Sequence, residues 1–392
     1  MPSLSRMRLC IDASNVKAGG GVTHLTELLR AADPPTFGFE TVFLWAPEST
    51  LQQVEDRPWL VKRWLPLMER NYLVRAWWQF RQLGAAAQAD RCDLLFVVGG
   101  SFATPFRPVV AVSRNMLPFD FAEMRRFGLS KQMLRLLLLR ATLSRSLRAA
   151  DGVVFLTRYA HDAVLKVTGR IKGKVAIIPH GIDARFAKPP RASRPLADCS
   201  DIDPLRLLYV STIDVYKHQW CVVEAVAQLR SQGIPLFLEL IGPAYRPALR
   251  RLQSTLRRFD PHGRAVRYLG SLPYGELHAS YARADIAVFA SSCENMPNIL
   301  LEAMASGLPI ACSNRGPMPE VLGGNGVYFD PEDVAGIARA LLELIRSPRL
   351  RARLASGSYD RALQYSWERC ATETFAFLAQ TTAGGAPGTP RS

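Results

Sequence analysis

At 392 residues and 48% hydrophobic content, the chain is too long for one ordinary core and too apolar for a disordered polymer. A formal net charge of +15, from 49 Lys and Arg against 34 Asp and Glu, calls for an anionic partner. Seven scattered cysteines, odd in number and never in a CxxC pair, argue against a disulfide framework or zinc site and for reduced thiols in a cytosolic protein. No RNP, zinc-finger or basic-zipper pattern is present, so nucleic acid is not the expected partner. No stretch offers the ~20 uninterrupted apolar residues of a spanning helix. Residues 1–8 lead directly into a strand, so no leader is expected.

In chain order, Met7–Asp12 reads as a strand, followed by the turn Lys17-Ala-Gly-Gly-Gly21 and a helix from about Val22. A glycine-rich turn from strand to helix lets backbone amides approach a phosphate. His24, one turn into that helix, reads as a packing or capping residue. Phe39–Trp45 is a second strand. Residues 57–84 interleave Trp59, Trp64, Tyr72, Trp77, Trp78 and Phe80 with six Arg and Lys. That mixture suits either an interface with anionic lipid or a tryptophan core under a solvated basic face. Residues 94–98 and 108–113 are buried strands. The second delivers Arg114 and Asn115 to its C-terminal end, where open α/β sheets place ligands. Residues 121–149 repeat the basic–apolar mixture, with seven Lys and Arg against Glu123 alone. Residues 152–157 close the first sheet, Ile178-Pro-His-Gly-Ile-Asp183 follows, and 188–204, rich in proline and serine, reads as a linker.

The second half opens with a strand at 205–211, the loop Thr212-Ile-Asp-Val-Tyr-Lys-His218, and a helix from Gln219. Strands at 237–241 and 266–270 lead into Ser271-Leu-Pro-Tyr-Gly-Glu-Leu277. The centre of the chain is Ser-Ser-Cys-Glu-Asn-Met-Pro-Asn-Ile-Leu-Leu-Glu-Ala-Met-Ala-Ser-Gly-Leu-Pro-Ile over 291–310, set between strands at 285–290 and 308–312. Pro297 suits the first position of a helix and Gly307 its stop. The helix is apolar almost all round except for Glu302, and Glu294 lies in the loop before it. A buried acid is costly unless something polar meets it. Two acids flanking a helix N-terminus, itself an anion site, suit a ligand with hydroxyls at both ends and phosphate between, such as a nucleotide sugar. Helices follow from Pro331, and 383–392, rich in Gly, Pro and Thr, reads as a disordered tail.

Glu294, seven residues, Glu302 and then Ala-Met-Ala-Ser-Gly-Leu-Pro-Ile resemble the donor-site signature of the retaining GT-B glycosyltransferases. More narrowly, they resemble family four, the glycosyltransferase group 1 type, and Ile178–Asp183 matches a second hallmark of that family. The resemblance implies an α/β fold of two Rossmann-like domains facing across a cleft. Residues 1–187 would form the acceptor domain, 188–204 the linker and 205–364 the donor domain, while a helix at 365–382 would cross back to the first domain. It implies that Glu294 meets the sugar hydroxyls, that Asn295, Met296, Pro297 and Asn298 line sugar and diphosphate, and that Glu302 holds the ribose. Gly20 and Gly21 would lie over the diphosphate, and Ser271 and Leu272 beside the base. Lys217 is retained for the diphosphate. Thr212 stands where the family has Arg and His218 where Gly is common, so a two-cation clamp on the diphosphate is not expected. Arg114 and Asn115, on the acceptor side, occupy the place of the family's usual His, so a histidine-assisted scheme does not carry over. His180 would lie near the cleft or serve as a structural turn.

The implied reaction moves a sugar from a nucleotide-sugar donor to an acceptor hydroxyl with retention, with Lys217 and Glu294 as catalytic residues. No second carboxylate completes the pairing of retaining hydrolases, so front-face displacement is expected rather than a glutamate nucleophile. No metal or cofactor is expected beyond the donor itself, because lysine and helix dipole handle the charge. The acceptor would be a saccharide or lipid-linked saccharide of a bacterial surface polysaccharide or lipopolysaccharide. The protein would be cytoplasmic and peripheral at an anionic membrane. Two rivals remain: a nucleotide-sugar epimerase of the same architecture, which converts donor without acceptor, and a nonenzymatic basic membrane-binding protein with a degenerate donor site.

Overall fold

Short runs rich in Val, Ile, Leu and Phe, apolar on both faces, are the expected signature of parallel strands covered by helices, and they build two sheets. In a computed structural model, which describes residues 6–17 and 19–383, the first sheet has seven strands. These are β1 (Met7–Asp12), β2 (Phe39–Trp45), β3 (Leu60–Arg63), β4 (Leu94–Val97), β5 (Val109–Ser113), β6 (Gly152–Phe155) and β7 (Lys174–Ile177). They lie in the order β3-β2-β1-β4-β5-β6-β7, and all paired neighbours are parallel. The second sheet has six: β8 (Leu205–Val210), β9 (Leu236–Ile241), β10 (Val266–Tyr268), β11 (Ile286–Phe289), β12 (Ile310–Ser313) and β13 (Val327–Phe329). Their order is β10-β9-β8-β11-β12-β13, again parallel throughout. Each sheet reverses its winding once, between β1 and β4 and between β8 and β11. Open α/β sheets bind ligands outside the strand ends at such reversals. The glycine turn follows β1, and the loops carrying Lys217 and Glu294 follow β8 and β11.

The chain divides into two units. Of the described residues, one holds those up to Phe119, Lys131–Gly181 and those from Ser366 to Ala383; the other holds Asp120–Ser130 and Ile182–Tyr365. Three expected boundaries therefore move. The first unit ends at Gly181 rather than 187. The segment Asp120–Ser130, read as part of the first basic–apolar half, belongs to the second unit. There Arg126 pairs with Glu123 at 2.7 Å and Glu332 at 2.6 Å, and Phe127 packs on Tyr245. Residues 188–204 are not a free linker but part of the second unit. A proline-rich stretch builds no ladder of its own, and arginines meet its neighbours' polar backbone instead. Arg191 donates to the carbonyls of Ala282 and Ala284, and buried Arg351 donates to those of Leu344, Ile345 and Arg194.

The final helix, Trp367–Ala383, is a layer of the first unit, as expected of an element that crosses back. Phe375 packs on Phe37 and Phe39, and the Phe377 ring lies against Gly152, where even a Cβ would come within 3.0 Å. Ala383 is the last residue of that helix, and the rest of the expected tail lies outside the described residues. The two readings of the basic–aromatic blocks divide residue by residue. Trp78 is core, packed on Trp45, whereas Trp64, Trp77 and Phe80 are exposed. On the helix Lys131–Ala149, Leu136, Leu143 and Leu147 are buried while Leu134, Leu137 and Leu138 face solvent.

Candidate nucleotide-sugar site

The loop after β8 is held from several sides. The Tyr209 hydroxyl donates to the Lys217 carbonyl at 2.6 Å, Gln219 Nε2 to the Thr212 carbonyl at 2.9 Å, and the Ser292 amide to the Tyr216 carbonyl at 2.9 Å. His218, where the family pattern favours Gly, has φ 49° and ψ 32°. That left-handed conformation is what glycine adopts without steric cost. Here a hydrogen bond of 3.0 Å between His218 Nε2 and Ser292 Oγ holds an imidazole in it. Burial, with Arg126 close by, pushes this imidazole down to about 4, so it is neutral at pH 7.

The loop points buried Lys217 at the β11 side, where its Nζ pairs with Glu294 Oε1 beside the Tyr216 and Phe289 rings. The spacing of 77 residues concealed this contact, which parallel pairing of β8 with β11 creates. Glu294 is half-buried, and Cys293, Asn295 and Met296 around it are buried. The helix runs Asn298–Ala305, one residue later than expected: Pro297 is the residue before it, with no side-chain cap. Its first amides are thus left for a ligand or water. Asn298 Oδ1 is buried there without a partner among the described residues.

Glu302 sits in that helix, 2% exposed. Burial pushes its carboxyl up to about 7, and hydrogen bonds from Tyr281 and Tyr274 partly offset this. The Tyr281 hydroxyl donates to Glu302 Oε2 at 3.0 Å. Neither tyrosine was identifiable by spacing, since each comes from a segment with its own local pattern. Of the expected base contacts, Ser271 is exposed and Leu272 half-buried, and it is Tyr274, three residues on from Ser271, that approaches Glu302. Arg185 lies over the Tyr274 ring at 5.2 Å and is paired with Asp183 at 2.7 Å. Thr212 is half-buried and supplies a carbonyl to Gln219, not a charge.

In the first unit the glycine turn, Arg114 and two histidines come together. Gly19, at φ 66°, precedes the helix Gly20–Ala31. Arg114 donates to the carbonyls of Gly20 at 2.6 Å and Gly21 at 3.3 Å. One turn on, His24 Nδ1 meets His180 Nδ1 at 2.6 Å, and both rings contact Trp367 of the final helix. Burial and the Arg114 cation hold both imidazoles well below their ordinary range, so one neutral ring donates and the other accepts. The reading of His24 as a packing residue and that of His180 as part of a structural turn agree with this placement. Asn115 is exposed and accepts from the Leu117 amide at 3.2 Å.

Residues 18–186 match the family model for glycosyltransferase family 4, and residues 204–347 that for glycosyl transferases group 1. The chain is 30% identical over 230 residues to a glycogen synthase of Mycobacterium tuberculosis, a match covering 58% of this chain and 53% of that one. It therefore spans about half the length of this curated relative. Among solved structures it is similar to sucrose-phosphate synthase from Thermosynechococcus elongatus, with TM-score 0.74 at 19% identity over 97% of this chain and 100% of that one. It is also similar to Anabaena HepE in complex with UDP-glucose, with TM-score 0.66 at 18% identity over 94% and 98%. With two parallel Rossmann-like sheets and these two matched models, the chain belongs to the family 4, group 1 glycosyltransferases.

Proposed function

We propose that this glycosyltransferase takes a nucleoside-diphosphate sugar as donor and transfers the sugar to an acceptor hydroxyl with retention at the anomeric carbon. The observation that carries the reading is the placement of three ionisable side chains at one sheet reversal. Lys217 and Glu294 meet at the ends of β8 and β11, and Glu302 lies one turn along the helix that follows. Glu302 accepts hydrogen bonds from the ribose hydroxyls, in the place its tyrosine partners mark. Glu294 accepts from the sugar hydroxyls. Lys217 and the open helix N-terminus at Asn298 stabilise the leaving diphosphate by preorganised positive potential. The carboxylate of Glu294 is engaged by Lys217, which suits a sugar-binding role better than a nucleophile's. The donor phosphate then assists attack on the same face, and lysine and helix dipole replace a metal.

The HepE complex with UDP-glucose and the glycogen synthase likeness support a nucleotide-sugar donor and a polysaccharide product. We place the reaction in surface polysaccharide or lipopolysaccharide synthesis, on the cytoplasmic side of a membrane. The test is thermal-shift screening of the whole chain against UDP, GDP, ADP and their common sugars, repeated on Glu302→Ala. Stabilisation by one base, lost in the variant, is expected, because a ligand stabilises only the state it binds. If no nucleotide shifts the wild-type midpoint, the donor assignment fails.

A further inference from the structure

The helix Arg246–Phe259 of the second unit carries five arginines, at 246, 250, 251, 257 and 258, and no acid or lysine. Ala248 and Leu252 form its buried side, and all five arginines are exposed. Arg264 and Arg267, in the connection and the edge strand β10 that follow, are exposed too. Among the described residues, none of these seven guanidiniums forms an ion pair or donates a hydrogen bond. Asp260, the only acid between 246 and 267, is taken by the amides of Arg264, Ala265 and Val266. Elsewhere in this unit arginines meet acids, as Arg230 does Asp201 and Arg315 does Asp330 and Glu332. Like charges four residues apart, such as Arg246 and Arg250, repel each other. Arg246, in the first turn, also opposes the helix dipole, which favours only Arg257 and Arg258 at the far end. Arg251 lies over the Trp220 ring at 4.1 Å and Arg258 over Phe259 at 4.9 Å, which orients these two and leaves their charge in place. A local rule broken without a matching local gain marks a functional position.

At 3.6 residues per turn, Arg246, Arg250 and Arg257 form one row, and Arg251 and Arg258 a second about 100° round the helix. Over the roughly 21 Å of this helix the two rows make a two-dimensional array of guanidiniums, whose paired N–H donors match phosphate oxygens. We propose that this face docks the second unit on the phosphate surface of an anionic lipid bilayer, by charge alone. Pro247, Gln253 and Ser254 share the face, and no large apolar side chain of the helix is exposed, so nothing inserts among acyl chains. Nor is an exposed aromatic ring present on which the bases of a nucleic acid would stack, since Trp220 is buried and Phe259 half-buried. The contact differs in kind from the leucine-bearing face of Lys131–Ala149 in the first unit, where apolar side chains meet solvent. It rests on the membrane-side placement proposed above and not on the donor assignment.

The test is flotation of the full chain with phosphatidylcholine vesicles, with and without phosphatidylglycerol. Wild type is compared with Arg250→Gln/Arg257→Gln and with Arg250→Lys/Arg257→Lys. Both positions are exposed and neither stacks on a ring, so all three proteins are expected to melt at the same temperature. Each basic residue near an anionic surface strengthens binding severalfold, so the glutamine variant partitions onto phosphatidylglycerol vesicles about tenfold less than wild type. The lysine variant keeps most of the wild-type binding. Undiminished binding in the glutamine variant overturns the proposal, and so does an equal loss in both variants. If the glutamine variant loses duplex RNA but keeps the vesicles, the face serves nucleic acid and the lipid assignment falls. If wild type does not float with phosphatidylglycerol vesicles, the membrane-side placement itself fails, an outcome distinct from the others.

Discussion

Glu302 is an acid placed where its charge is costly, and the cost has a pH signature. In the unfolded chain a glutamate releases its proton near 4.5, whereas burial delays this to about 7 in the folded protein. Below 4.5 both states are protonated and no penalty exists. Between 4.5 and 7 the folded state keeps a proton that the unfolded state has lost, so stability falls as pH rises. Above 7 the full penalty, about 3 kcal/mol, is present. Glu302→Gln is therefore expected to match the wild-type thermal midpoint near pH 4.5 and to exceed it increasingly up to pH 8, while losing nucleotide binding. A series of melts across that range checks it, and a pH-independent difference would refute it. With Glu302 as the proposed ribose ligand, ribose hydroxyls would donate to the ionised carboxylate, so wild-type nucleotide affinity is expected to rise with pH up to about 7 and then level off. The carboxylate itself was legible from its helix, where every neighbour is apolar. Its phenol partners were not, because Tyr281 and Tyr274 reach it from a separate helix and loop.

At the scale of elements, the Ile178–Asp183 string and the final helix are one device. The turn at Gly181 lies so close to the Trp367 backbone that an added methyl would overlap it. The glycine is needed there for close approach, not for an unusual φ. His180 beside it locks to His24, and both rings pack on Trp367. Gly181→Ala is expected to destabilise the first unit by about 3 kcal/mol, as overpacking against backbone does. Amide exchange should rise along Trp367–Ala383 and at Gly20–Ala31, with β8–β13 unaffected. Unchanged exchange in the final helix would show that the turn does not hold it. The motif was visible in the sequence as a string, but its partner lay about 185 residues away and only packing joins the two.

At the scale of the whole molecule, the net charge of +15 is accompanied by exposed apolar side chains set among arginines. On the helix Lys131–Ala149, Leu134, Leu137 and Leu138 are exposed beside Arg135 and Lys131. Trp77 and Phe80 are exposed beside Arg81 on Tyr72–Arg81. No helix among the described residues is long and apolar enough to cross a membrane. Such faces suit insertion at an anionic interface, where basic residues add about 1 kcal/mol each near the surface. The protein is expected to float with vesicles containing acidic lipid and not with neutral ones, to detach as salt is raised, and to bind less in Leu134→Ser/Leu138→Ser. Equal recovery with both vesicle types would exclude a charge-led surface.

Fold class, both parallel sheets and the placement of Glu294 and Glu302 around one helix were readable from local pattern. Strand and helix periodicity, proline and glycine placement, and an acid in an apolar helix are properties of neighbouring residues. The pairing of Lys217 with Glu294, the transfer of Asp120–Ser130 and 188–204 to the second unit, and the meeting of Arg114 with the glycine turn were not readable. Each depends on which strand lies beside which, and strand order is set by burying whole faces of helices and sheets together. That is a long-range balance of area and charge that no window of sequence contains.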